Sequence, residues 1–499
     1  MRVIYFDLDC LRADHVGAYG YHRNTTPNVD SVAQDGVIFT DCYTSNSPCL
    51  PSRAALFSGR FGINNGIVGH QSPGDQFRYP GYSHDHNDEM PMFMRHLRQN
   101  KIKTVSFSNF ADRHTAWWFH AGFEEFHTIS LKQGQETADE VNTVVEPWLQ
   151  EHAAEENYFL HIHYWDIHAP YRQADMKEKM KEFENSPAPA FPDEKTIKKQ
   201  YAEMYGPRTP RDLYTGYPGD KNPRSWMPDQ IANRKDFKLL VDGYDASIKT
   251  ADYYLGRIIE ILKQKGIYEN TAIIISCDHG DSFGENGGHY MEHSLANEAV
   301  HHIPLIIKWP GTKENKKVGG LVYQLDLCPT VCEMLNIPVP PKWDGLSFKA
   351  GLTGEKFKGR EYLVFDHGIY SLQRSVRTKG HMLTRTYHPG LYPIDEPLQL
   401  FDMKKDPHQT KSVAKKYPSV VMRLEQKLSE WWHEQLPKHS PDPDPLEVMA
   451  GYGAFYYYKP EAMVKRLKKR GWHKQAKELM ARLARFEAFS GFGKLRNPK

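Results

Sequence analysis

Cysteine is scarce: six residues in a chain of 499. That is too few to build a disulfide framework, so a small cystine-stapled scaffold is excluded. Cys328 and Cys332 lie one helical turn apart in an apolar segment and read as core residues. Net charge is also nearly absent. Lys plus Arg total 64 against 62 Asp plus Glu, a formal +2, so no one-signed field exists to gather nucleic acid. No apolar run reaches the ~20 residues of a membrane-spanning helix. No secretory leader is expected either, because Met1 runs directly into Arg2-Val3-Ile4-Tyr5-Phe6, which reads as a strand. The expectation is a cytoplasmic, reduced protein, which a leader removed earlier would alter. What is present suits a soluble globular chain, 39% hydrophobic and 25% charged. The length fits one large α/β domain plus a smaller one. Aromatics at 12% and 25 histidines suit a sugar-binding cleft, and equally ordinary packing.

The chain is organised around residues 45–60. Cys49-Leu50-Pro51-Ser52-Arg53 leads into Ala54-Ala55-Leu56-Phe57, the opening turns of a helix. A reactive side chain at a helix start meets free N–H groups and the positive end of the helix dipole, which favour a developing anion. Arg53, one turn on along the same face, can hold that anion or a metal-bound oxygen. A lone cysteine there would read as a buried thiol; the whole run and its partners favour chemistry.

The Cys-x-Pro-Ser-Arg run, followed by Ser58-Gly59, resembles the maturation motif of the formylglycine-dependent sulfatases. In that family the cysteine is oxidised to formylglycine, whose hydrate is the nucleophile. Three further motifs carry the resemblance over about residues 2–435. Strand 2–9 ends in Asp7-Leu8-Asp9-Cys10, and acids at a strand's carboxyl end are where α/β sheets place ligands. The resemblance puts Asp9 on the first metal-binding Asp. Many members carry a second adjacent Asp where this chain has Cys10; either one carboxylate ligand is missing or Asp7 substitutes, and the phosphonate monoester hydrolases also keep only one acid. His168-Ala169-Pro170-Tyr171 is similar to the family's His-x-Pro-His/Tyr, a rigid strand-tip loop suited to a general acid or oxyanion contact. Asp278-His279-Gly280-Asp281, after the buried strand 271–277, is similar to Asp-His-Gly-Glu. The implied metal set is Asp9, modified Cys49, Asp278 and His279. Its oxygen-rich character suits a hard cation, Ca²⁺ first, with Mg²⁺ or Mn²⁺ as alternatives.

The family's sulfate-gripping lysines are missing. Arg113 and His114, in the loop after strand 104–107, are the replacements for the first; His293, with His289 second, stands near Glu292 where the other belongs. Asn64 and His70, in the loop after the Cys49 helix, are further pocket candidates. Residues 172–235 are polar and Pro-rich and read as an excursion over the active-site face, a lid or wall.

The resemblance implies an alkaline-phosphatase-like α/β fold: a large, mostly parallel sheet between helices, then a small C-terminal antiparallel sheet plus helix. Periodicity by itself gives only α/β followed by a β-rich end. The expected organisation is a catalytic domain over 1–355, a small subdomain over 356–436 with its helix at 418–435, and a linker and basic helical extension over 437–499. The last forty residues hold twelve Lys/Arg against three Glu, a solvated or self-packed face by preference. The expected activity is hydrolysis of sulfate esters or sulfamates, on a sulfated carbohydrate such as a glycosaminoglycan-derived sugar. Cys49, Arg53, His168 and His293 are the catalytic candidates, and the implied partners are that substrate and a formylglycine-generating maturation enzyme. Alternatives are a phosphonate monoester or phosphodiester hydrolase on the same scaffold, and an unmatured, non-catalytic anion- or carbohydrate-binding protein. Oligomeric state is not legible.

Overall fold

The computed structural model describes residues 1–490 apart from 71–72, 79–89, 133, 172–174, 209–225, 291–292, 294, 313, 395, 437–441 and 455–460. The strands are β1 (Arg2–Leu8), β2 (Val37–Tyr43), β3 (Asn46–Ser47), β4 (Lys103–Phe107), β5 (Glu125–His127), β6 (Tyr158–Tyr164), β7 (Thr271–Ser276), β8 (His302–Lys308), β9 (Lys316–Val318), β10 (Val322–Tyr323), β11 (Tyr362–Ile369), β12 (Ser371–Thr378), β13 (His381–His388) and β14 (Leu398–Asp402). A nine-stranded sheet runs β10-β2-β8-β7-β1-β6-β4-β5, with β9 also on β2. Its pairings are parallel except those of β8, which runs against both β2 and β7. The second sheet, β14-β13-β12-β11-β3, is antiparallel but for the β3–β11 pairing. This is the α/β architecture with a smaller C-terminal, mostly antiparallel sheet.

β1 lies between β6 and β7, so helices cover it on both faces and its residues read as one apolar run. Side chains alternate across the sheet. Tyr158 and Tyr164 of β6 meet the helix Ala138–His152 at Trp148 and Asn142, whereas Phe159 and His161 meet Phe93 and Phe57 on the opposite face. Asp7 of β1, like Tyr5 beside Phe159 and His161, belongs to that second face, where the helix Cys49–Ser58 packs. A polar group there is costly unless paired, so each one marks a built network.

The small sheet is not a separate module. Its edge strand, β3, comes from the chain just ahead of Cys49 and pairs Asn46 with Asp366 and Ser47 with His367. Ser47 Oγ lies 2.9 Å from His301 Nε2 and 2.7 Å from His367 Nδ1, which ties both sheets to the approach to the helix.

Several local expectations change. Gly62–Asn65 and Phe110–His114 are short helices rather than loop, each closed by a residue with positive φ, Gly66 and Thr115; four or five residues are too few for a helical period to show in sequence. Within the expected linker, Asp444 is fully buried: it receives Arg374 at 2.6 Å and caps the helix Pro445–Tyr452. Residues 437–441 and the tail beyond 490 lie outside the described residues. The two basic tail helices, Glu461–Lys469 and His473–Ser490, bury Met463, Leu467, Ala476, Leu479 and Leu483 against Leu295, Tyr370 and Tyr392.

Arg374 bridges Asp366 and Asp444 with no solvent access. Arg374→Met strands two buried carboxylates and is expected to cost about 3–5 kcal/mol of unfolding free energy, read from urea denaturation. A loss under about 1 kcal/mol, the range of a surface pair, would contradict this placement.

Candidate active site

β1 and β7 run side by side in register, Asp7 opposite Ser276, so Asp9 and Asp278 emerge together at their carboxyl ends. The helix Cys49–Ser58 is locked over them, because Ser52 Oγ donates to the Asp278 carbonyl at 2.8 Å and receives Thr44 Oγ1 at 2.9 Å. Ligand atoms of Asp9, Cys49, Asp278 and His279 lie within 4.8 Å of one another, all buried. His279 Nδ1 donates to the Gly280 carbonyl at 3.1 Å, which leaves Nε2 to face Cys49 Sγ at 3.3 Å. Gly280 is required by close approach: a Cβ there would stand 2.1 Å from the Ala299 carbonyl oxygen.

Arg53 lies beneath this cluster rather than open to an incoming anion. Nε donates to Asp7 Oδ2 at 2.7 Å, Nη1 to Asp278 Oδ2 at 2.7 Å with Asp9 Oδ2 at 3.0 Å, and Nη2 to His163 Nε2 at 2.7 Å. Its expected contact with a substrate oxygen is replaced by a structural one, since its donors are drawn to three buried carboxylates. A guanidinium only donates, so His163 Nε2 accepts and Nδ1 donates to Ser108 Oγ at 2.9 Å. Burial raises the Asp7 and Asp9 carboxyls, but Arg53 together with the neighbouring histidines, His161 and His163 at Asp7 and His163 and His168 at Asp9, outweighs it and holds both well below the usual range. Asp278 goes the other way: burial, and then the charges of Asp9 and Asp7, push it up to about 8 despite Arg53. Three carboxylates thus share one fixed cation. The donor chemistry and that surplus of negative charge fit a divalent cation held by Asp9, residue 49, Asp278 and His279.

Asp7 does not take the place of the missing second acid. It is turned to Arg53 and to His161 Nε2, 3.4 Å away. His161 and His163 carry no motif, standing in a run, 158–165, whose β-branched and aromatic content reads only as a strand. Their alternation on β6, beside that of Asp7 and Asp9, was the available signal.

Around Cys49 the structure gathers most of the other candidates. His168, His293 and Cys49 offer ligand atoms within 4.8 Å of one another, and His168 Nδ1 donates to the Ala169 carbonyl at 2.6 Å. His70 Nε2 accepts from the Leu50 N–H at 3.4 Å, meeting a free donor of the helix start, and its ring lies 4.9 Å from that of His114. Arg113 stacks 5.2 Å from Trp165, and its charge reaches Cys49. Two candidates fall elsewhere. The Asn64 amide donates to Asp344 at 2.8 Å and Gln435 at 3.2 Å, an anchor for the C-terminal helix. His289 packs 4.5 Å from Tyr392, close to Gly206, and lines a separate cavity of 310 Å³. Glu292 lies outside the described residues, as do Pro210, Pro218 and Pro223 of the insert. The described part of the insert clamps the loop after Asp281: Gln200 donates to the Gly284 carbonyl, Arg208 to that of Gly288, and Tyr290 to Gln200.

The sheet order and the cluster at the ends of β1 and β7 define an α/β protein with a buried, metal-type donor set at the carboxyl edge of its large sheet. A profile of the sulfatase family matches residues 2–337, and one described as N-sulphoglucosamine sulphohydrolase, C-terminal, matches 284–434. The chain belongs to the sulfatase family. It is 24% identical over 450 residues to the delta 4,5-hexuronate-2-O-sulfatase of Bacteroides thetaiotaomicron, covering 82% of this chain and 85% of that protein. It is 31% identical over 203 residues to human arylsulfatase K; the match spans 39% of this chain and 37% of that relative. Among solved structures, a phosphonate monoester hydrolase of Agrobacterium radiobacter superposes with TM-score 0.67 at 20% identity, covering 87% of this chain and 96% of the other. A structure in complex with its substrate D-glucosamine-2-N,6-O-disulfate gives 0.66 at 20%, covering 88% and 99%.

Burial, reinforced by Arg208, depresses His289 from 6.5 to about 3. The folded state therefore binds fewer protons than the unfolded chain between those values. The associated stability is complete above pH 6.5 and is lost as pH falls toward 3. His289→Phe should flatten this acid limb by about 1.4 kcal/mol per pH unit in urea unfolding across pH. An unchanged slope would contradict the neutral buried imidazole.

Proposed function

We propose that this protein hydrolyses sulfate esters, or sulfamates, on a sulfated carbohydrate such as a glycosaminoglycan-derived sugar, after Cys49 is converted to formylglycine. The observation that carries the reading is the buried convergence of Asp9, Cys49, Asp278 and His279 at a helix start, over three carboxylates that share one arginine. As a thiol, Cys49 suits the chemistry poorly. Burial, then Asp9 and Asp278, raise it well above the ordinary value, so it stays neutral and weakly nucleophilic. Formylglycine at this position would supply a hydrated aldehyde as nucleophile, and a divalent cation on Asp9, residue 49, Asp278 and His279, Ca²⁺ first with Mg²⁺ or Mn²⁺ as alternatives, would supply positive charge beside the sulfate oxygens.

The chain's own residues provide the rest. Arg53 keeps Asp7 and Asp9 ionised and fixes their rotamers. His168 and His293, near residue 49, hold the proton destined for the leaving oxygen, and His168 is oriented by its bond to the Ala169 carbonyl. Arg113, His114 and His70 supply the anion contacts that lysines supply in many relatives. The insert over loop 284–290 walls the sugar side. Six buried, unbridged cysteines accord with a reduced, cytoplasmic setting. The curated relatives named for hexuronate 2-O-sulfate and N-acetylglucosamine 6-O-sulfate support a carbohydrate substrate.

A second reading, phosphonate monoester or phosphodiester hydrolysis, is favoured by Cys10 in place of a second acid and by the absent lysines. Matured protein should turn over an aryl sulfate faster than the matching aryl phosphonate monoester, and faster still a sulfated disaccharide. Cys49→Ser should lose multiple turnover and retain sulfate bound as an ester, because a serine ester lacks the aldehyde's exit. A phosphonate rate higher by about tenfold, ~1.4 kcal/mol in the barrier, would move the assignment to the second reading. Full multiple turnover by Cys49→Ser would end both.

A further inference from the structure

Cys10 has no part in the chemistry above, yet the fold holds it in a costly conformation. Its φ is +63°, a left-handed value that a non-glycine residue seldom adopts without strong restraint. The restraints are visible. Its N–H donates to Asp278 Oδ1 at 3.0 Å, and its carbonyl accepts from the Tyr244 hydroxyl at 2.7 Å. The thiol is thereby aimed into the site, 3.0 Å from Asp9 Oδ1.

There it meets a second donor set. Ligand atoms of Cys10, His279, Asp281 and His293 lie within 4.8 Å of one another, all buried. The two imidazole rings are 4.3 Å apart, and His293 Nδ1 lies 3.5 Å from Asp281 Oδ1. Asp281 is fixed through its backbone, because Arg12 Nη1 donates to its carbonyl at 2.7 Å while Arg12 Nη2 pairs with Glu285 at 2.8 Å. One thiol, two imidazoles and one carboxylate are the ligands of a four-coordinate, thiophilic cation. They are poor ligands for Ca²⁺ or Mg²⁺, which take oxygen.

We propose that Cys10, His279, Asp281 and His293 bind a thiophilic divalent cation of the Zn²⁺ class, at a position beside the oxygen-rich set of Asp9, residue 49 and Asp278. Binding forms a metal–sulfur bond at Cys10 Sγ and releases the thiol proton to solvent. Since Nδ1 of His279 is committed to the Gly280 carbonyl, only Nε2 can ligate. The two sets therefore compete for one nitrogen, and a soft cation in one withdraws His279 from the other. This proposal stands without the sulfatase reading, since its readout is metal binding.

The test uses the full chain carrying Cys49→Ala, so that Cys10 is the thiol left in the donor set; Cys277 Sγ is held by backbone carbonyls, of Leu11 at 2.9 Å and His279 at 3.4 Å, and joins no ligand group among the described residues. Co²⁺ is the spectroscopic probe, and Zn²⁺ is measured by its displacement. The expected adduct shows a thiolate-to-metal charge-transfer band in the near ultraviolet and the intense visible absorption of four-coordinate Co²⁺. Adding Cys10→Ser should remove the charge-transfer band and weaken Zn²⁺ by ~10-fold or more, with far-ultraviolet circular dichroism unchanged. Should Cys10→Ser fail to fold, His293→Ala decides, and it must lose the visible intensity. Asp9→Asn should keep the band. A band that persists in Cys10→Ser, a weak six-coordinate spectrum in the parent, or Zn²⁺ affinity unmoved by both Cys10→Ser and His293→Ala would overturn the assignment.

Discussion

Everything at the carboxyl edge of the large sheet depends on one guanidinium. Arg53 is buried and reaches Asp7, Asp9 and Asp278 at 2.7, 3.0 and 2.7 Å. Such an arrangement is not there for stability. Against an apolar replacement a buried ion pair is close to neutral, whereas removing one partner costs about 3–5 kcal/mol. Its value is positional. The two carboxylates that face Cys49 are fixed by a cation that cannot lose its proton, and His163 on the other side of Arg53 is fixed as the Nδ1–H tautomer. Because one positive charge cannot balance three carboxylates, the site is left with an affinity for a second cation. Asp278, pushed up to about 8 by burial first and then by the charges of Asp9 and Asp7, registers part of that shortage.

The rest of the molecule is arranged to keep the helix start in place over that cluster. β3 pairs the chain just before Cys49 with β11, and Ser47 sits between His301 and His367. The small sheet is thereby a brace for the start of the Cys49 helix as much as a lobe. A similar logic joins the insert and the basic tail. Arg466 donates to the Gly206 carbonyl and Arg470 to that of Tyr201, while Gln200 and Arg208 hold loop 284–290. Three segments distant in sequence meet beside the loop that follows Asp281.

The architecture was legible because its long elements carry strong periods: buried β-branched runs at β1, β7 and β8, and a Pro-started helix whose expected span, 418–435, is that of Pro418–Gln435. Elements of two to five residues carry no period, so β3 and the helices Gly62–Asn65 and Phe110–His114 could not be read. At the site, motifs placed Asp9, Cys49, Asp278 and His279, since each follows a strand or opens a helix. They could not tell which way a side chain turns. Arg53 faces inward to carboxylates, and Asn64 finds partners 280 and 371 residues along the chain. No local pattern encodes such pairings. The alternation of Asp7, Asp9, His161 and His163 was readable, but only to an argument that already placed β1 beside β6.

The central claim is that Cys49 is a precursor, and the mass of its peptide tests this most directly. Protein co-expressed with a formylglycine-generating maturation enzyme should yield a residue-49 peptide about 18 Da lighter than the thiol form and reactive toward hydrazide. An unmodified thiol in protein that turns over sulfate esters would contradict the account.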